Sequence, residues 1–69
     1  MPERKLLSIF VEWRDEKGDR DSVTYYAETL GDSRARLRAA QRVEICRSSQ
    51  FVITAYRFEH SDGSVTNAI

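Results

Sequence analysis

Arg34, Arg38 and Arg42 recur at every fourth position, so on a helix they form one ridge a turn apart. An arginine keeps its charge and offers a planar fork that matches phosphate or carboxylate. Such a ridge could follow a nucleic-acid backbone or engage an acidic protein surface. Arg36 and Arg47 add to it, and Glu44 is the only acid from Arg34 to Arg47, which leaves that stretch at net +4. The chain as a whole is neutral, so the other residues carry net −4, much of it in Asp15-Glu16-Lys17-Gly18-Asp19-Arg20-Asp21. A neutral chain with one basic edge is suited to present that edge to a partner. The bland alternative is a solvated helix face, where like charges cost only a few tenths of a kcal/mol per pair. Glutamates would then usually be interleaved, and the ridge has none.

Aromatic side chains form the second candidate group. Alternation along the strands puts Phe10, Tyr26, Tyr56 and Phe58 among Ser8, Thr24 and Thr54, on the face that a single helix would leave bare. Stacked bases are one use for sheet aromatics, at about 1–3 kcal/mol each. Basic residues are sparse on the strands, however, and Glu12 and Glu28 would repel phosphate. Contact with another protein, or with a second copy of the chain, suits the face better. Trp13 falls in line with Leu7, Ile9 and Val11 and reads as a core anchor.

Catalytic chemistry has little to build on. His60, Ser61 and Asp62 are sequence neighbours, which rarely meet in triad geometry, and they read as a polar turn. Cys46 is the sole cysteine; it has neither a base nor a second thiol for reactivity, and reads as a small buried hydrophobe. The carboxylates around Gly18 lack the ligand spacing of an EF-hand. The expectation is a protein without enzymatic activity, metal or cofactor.

The elements that must position these residues follow from periodicity. Lys5–Arg14 alternates as a strand, with Leu7, Ile9, Val11 and Trp13 on one face. Ser22–Glu28 is β-rich and completes a hairpin with a polar tip at Gly18. Leu30-Gly31-Asp32-Ser33 reads as a helix start capped by Asp32 or Ser33. Along the helix Ala35, Ala39, Val43 and Cys46 form one stripe; Leu37 points elsewhere and Ile45 falls on the arginine side. In the third strand, Phe51–Glu59, Phe51, Ile53 and Ala55 alternate with Val52, Thr54, Tyr56 and Phe58. A turn at Ser61-Asp62-Gly63 leads to a short fourth strand within Ser64–Ile69. A right-handed crossover sets the third strand beside the first. The expected fold is α+β: a four-stranded antiparallel sheet, ββαββ, order 2-1-3-4, with one helix on one face.

Sixty-nine residues make a single domain, 1–69, with a marginal core. One cysteine excludes an internal disulfide, so self-association as a homodimer is the reinforcement left. Apolar residues make up 41% and charged residues 32%, which places the chain among folded domains. Apolar runs such as Ile9-Phe10-Val11 are too short to span a membrane. The lone thiol and the lack of a signal sequence point to the cytoplasm.

The acidic-tipped hairpin, the Tyr26-Ala27-Glu28-Thr29-Leu30 strand exit and the arginine-rich helix resemble, over Ser8–Val65, the small phage-encoded anti-CRISPR proteins that inhibit type I surveillance complexes. The resemblance is one of layout. It implies a non-enzymatic inhibitor in the host cytoplasm that docks on Cas subunits, with Arg34, Arg36, Arg38 and Arg42 in the basic contact role. The chain has only Lys5 and Lys17, so strand-borne lysine contacts have no counterpart. The reading is therefore a binding protein whose partner surface combines these arginines with Tyr26, Tyr56 and Phe58. A nucleic-acid-binding module using the same helix, or a small dimeric assembly protein, are the alternatives.

Overall fold

The computed structural model describes residues 4–69. Its elements are β1 (Leu6–Arg14), β2 (Arg20–Tyr26), α1 (Ala27–Leu30), α2 (Asp32–Ser48), β3 (Val52–His60) and β4 (Val65–Asn67). The four strands form one sheet in the order β2-β1-β3-β4, and every neighbouring pair is antiparallel. The long helix α2 packs on one face, so the α+β architecture expected from the sequence is the one observed.

The β1–β2 hairpin closes through a three-residue loop. Asp15 N–H donates to the Asp19 carbonyl at 2.9 Å and Gly18 N–H to the Asp15 carbonyl at 3.0 Å. Gly18 sits at φ 88°, the left-handed position that such a loop requires and that glycine takes without strain. The Asp15 carboxylate accepts the amides of Lys17 and Asp19 at 2.9 and 3.0 Å. One acid of the loop is therefore part of the turn itself.

Two register slips on β1–β3 reassign side chains between faces. From Leu6 to Ser8, β1 advances two residues while β3 moves one, from His60 to Glu59. Leu6 thereby turns into the core, and Leu7, expected in line with Ile9, is 50% exposed. From Glu12 to Trp13 the surplus lies on β3, at Thr54. Because an extra residue shifts everything beyond it by half a period, Tyr56 and Phe58 share a face with Ile53. They pair with Val11 and Ile9 and lie under the helix, which corrects their expected place on the bare face.

The helix entrance also differs from the sequence reading. β2 stops at Tyr26, and Ala27–Leu30 coil into a single helical turn, α1, that ends at Gly31 (φ 87°). Gly31 is the residue that caps α2, with no side-chain capping bond. The bend between two abutting helices needs a positive φ, and glycine supplies it at the expense of a capping oxygen. Asp32 instead pairs with Arg36 at 2.6 Å, one turn on. At the other end Gln50 takes φ 63°. Its N–H reaches the Arg47 carbonyl at 3.0 Å, and Phe51 N–H reaches that of Cys46 at 2.8 Å, a paired C-terminal closure.

Leu6, Ile9 and Val11 of β1 meet Ala35, Ala39 and Val43 of α2 in the core, with Cys46 buried beside them. The alanines let the helix approach the sheet closely. They also make the core thin, since among the described residues four larger aliphatic side chains, Leu6, Ile9, Val11 and Val43, are buried, at about 1.5–3 kcal/mol each. The half-buried Trp13, Tyr25, Tyr56 and Phe58 pack around it and complete the enclosure.

Candidate partner-binding surface

The buried stripe Ala35, Ala39, Val43 and Cys46 fixes the rotation of α2, and the arginines divide accordingly. Arg36 and Arg42 flank the stripe and lean onto the aromatic border of the core. Arg42 stands over the Trp13 ring at 5.5 Å, and its Nε donates to the Tyr25 hydroxyl in a long 3.4 Å bond. That hydrogen bond is the main reason its charge is held more firmly than usual. Arg36 lies 5.4 Å from the Phe58 centroid while paired with Asp32. Each of these two arginines closes an aromatic flank of the core.

Arg34 and Arg38 behave differently. Both are exposed, and among the described residues neither forms an ion pair or a side-chain hydrogen bond. At about 100° per residue they share the outer face of α2 with Leu37, Gln41 and Ile45. Leu37 is 58% and Ile45 54% exposed. The expected ridge of Arg34, Arg38 and Arg42 is thus divided: two of its members project outward and the third is a clasp.

The aromatic group divides as well. Tyr26 is 59% exposed at the end of β2. Tyr56 and Phe58 stack at 5.3 Å beneath α2, and burial pushes the Tyr56 phenol up, with Arg47 and Arg36 opposing. On the uncovered face, the expected aromatic cluster shrinks to Phe10 near Tyr26. Arg57 covers the Phe10 ring at 4.7 Å, Thr54 Oγ1 donates to Glu12 at 2.8 Å, and Ser8 Oγ to Glu59 at 3.4 Å. The middle of that face is polar and bonded to itself, while Val52 and Val65 are half exposed beside it.

Beside the start of α2 an open groove of about 910 Å³ runs between the sheet end and the helix. Arg4, Lys5 and Arg36 line it together with Glu28, Asp32 and Glu59, so its charges balance. His60 at its wall is buried, with Nε2 3.3 Å from Thr66 Oγ1. The neighbours of His60 have other partners: Ser61 Oγ accepts the Lys5 amide at 2.9 Å, and Asp62 takes the amide and hydroxyl of Ser64 at 2.9 and 2.6 Å. Those two bonds hold the Asp62 carboxyl below its usual range. The three side chains do not form a relay.

Cys46 is buried on the sheet-facing stripe of α2, and burial pushes its thiol up while Arg42 opposes. Among the described residues, no three His, Cys, Asp or Glu side chains gather as a metal-ligand set, and no helix is long and apolar enough to cross a membrane. Exposed Leu37 and Ile45 are the members of the surface that arginine spacing alone did not single out. Their signal was present in the periodicity, since both fall off the buried stripe.

Comparison with known families, with curated proteins and with solved structures finds no match to this chain.

Proposed function

We infer that this chain is a non-enzymatic binding protein that docks on an acidic protein surface through the outer face of α2. The observation that carries the reading is the pair of uncommitted arginines, Arg34 and Arg38, set around exposed Leu37 and Ile45. Glu44 is the one acid on this side of α2, in line with Leu37, and a charged border around an apolar centre is how many interfaces are arranged. The rim steers association, and the centre supplies buried area. Phosphate would engage the arginines but gain nothing from the two aliphatic side chains, and the neutral chain lacks the basic excess usual in nucleic-acid modules.

The partner we propose is a Cas subunit of a type I surveillance complex, in keeping with the anti-CRISPR resemblance of the layout. Binding there is stoichiometric and inhibitory, occurs in the host cytoplasm and needs no cofactor. The test is affinity isolation of tagged protein from cells that carry such a complex, with nuclease treatment and a high-salt wash in parallel. Recovery of the Cas subunits after nuclease supports the reading. Recovery lost with nuclease, or with a steep dependence on salt, assigns the face to nucleic acid instead.

A further inference from the structure

The geometry points to the outer edge of β2 as a pairing edge for the same strand of a second copy, giving a continuous eight-stranded sheet across a two-fold axis. β2 is an edge strand, paired among the described residues with β1 alone, and none of its seven residues is buried. The hairpin closure fixes which backbone groups face outward. Asp15 N–H bonds the Asp19 carbonyl, and alternation from there turns Asp21, Val23 and Tyr25 toward β1. Ser22, Thr24 and Tyr26 turn their N–H and C=O to the outside. The Ser22 amide agrees with this, since it bonds the Asp21 carboxylate at 2.8 Å rather than β1.

Free edges are normally blunted by short strands, bulges, proline or charge. β4 fits that pattern with three residues. β2 does not: its register with β1 is continuous, it has no proline, and its charges stop at Asp21. Ser22-Val23-Thr24-Tyr25-Tyr26 is an uncharged run rich in strand formers.

Self-pairing suits this run. A two-fold axis at Thr24 sets Thr24 opposite Thr24, Val23 opposite Tyr25, and Ser22 opposite Tyr26 of the other copy, all within β2. Aromatic against β-branched, and Thr against Thr, are favourable cross-strand pairs. The net charge of the chain is zero, so no overall repulsion opposes association. A domain this small also gains from a partner subunit. The α2 surface is poorly placed for that role, because two copies would bring arginine-rich faces together.

Analytical ultracentrifugation of the full chain, over micromolar to millimolar concentration, tests the inference. The wild type should reach twice the monomer mass, and Thr24→Pro should remain a monomer with an unchanged circular dichroism spectrum. Proline is tolerated on an edge strand where the amide faces outward, so the substitution removes both Thr24–Thr24 bonds across the axis and spares those to β1. Phe10→Ser and the double variant Arg34→Glu/Arg38→Glu should still dimerise, which separates the edge from the bare sheet face and from α2. If Thr24→Pro does not fold, hydrogen exchange on the wild type decides. The amides of Ser22, Thr24 and Tyr26 should slow at least tenfold as concentration rises, while those of Val23 and Tyr25 stay protected throughout. A wild type that is monomeric at millimolar concentration overturns the inference, as does a Thr24→Pro dimer or outer amides indifferent to concentration. Edge protection seen only on adding a foreign protein would overturn self-pairing in favour of a partner's strand.

Discussion

The guanidinium of Arg42 rests 5.5 Å from the centre of the Trp13 ring, where it shields the indole and ties α2 to β1. A residue drawn into the fold in this way should behave unlike its neighbours on the helix. Arg42→Ala is expected to cost about 1–2 kcal/mol, combining a cation–π contact, a long bond to Tyr25 and the packing of its stem. At roughly 4–8 °C per kcal/mol for a chain of this size, the loss is readily seen by thermal melting. Arg34→Ala and Arg38→Ala should stay within about 0.5 kcal/mol of wild type.

Adjacent leucines should report the first register slip. Leu6 is buried and Leu7 half exposed, although strict alternation assigns them the other way. Leu6→Ala is expected to destabilise by about 2–4 kcal/mol and Leu7→Ala by well under 1 kcal/mol. Urea unfolding of the two variants gives the comparison directly.

Gln50 closes α2 at φ 63°, a conformation that costs a side chain with a Cβ about 1 kcal/mol. Gln50→Gly removes that strain and retains both closing amide bonds. The melting temperature should rise by a few degrees, corresponding to about 0.5–1 kcal/mol.

Alkaline pH should weaken the fold. Burial raises both the Cys46 thiol and the Tyr56 phenol, so each binds its proton more tightly folded than unfolded. Their contribution is fully present below the unfolded values, roughly 8.5 for a thiol and 10 for a phenol. It is lost as pH rises through the higher folded values. Melting temperature should therefore decline above that first value, and Cys46→Ala should decline less steeply. Native Cys46 should also alkylate far more slowly than the thiol of the urea-unfolded chain.

Much of the architecture was legible in the residues. Alternation in β1 and β2, the alanine stripe of α2 and glycine-marked turns lead to the sheet order once the crossover is taken as right-handed. What escaped was local insertion. A period-two count started at Phe51 passes through Thr54 unaware that one extra residue there carries Tyr56 and Phe58 to the other face. Gly31 looked like the lead-in to a capped helix because a sharp bend between α1 and α2 leaves no composition signal. The arginine spacing was visible too, yet the division between Arg34 and Arg38 on one side and Arg36 and Arg42 on the other depends on where the rings of Trp13 and Phe58 lie. That is a relation between strands and helix, outside the reach of spacing along the helix.

The most direct test of the docking surface is the affinity of a purified type I surveillance complex for the wild type and for charge-reversed variants at fixed ionic strength. Arg34→Glu/Arg38→Glu should weaken binding by at least a hundredfold while melting like wild type, since neither side chain supports the fold. Leu37→Ser/Ile45→Ser should weaken it by tenfold or more. Undiminished affinity in both variants, or no measurable binding of the wild type, would contradict the account.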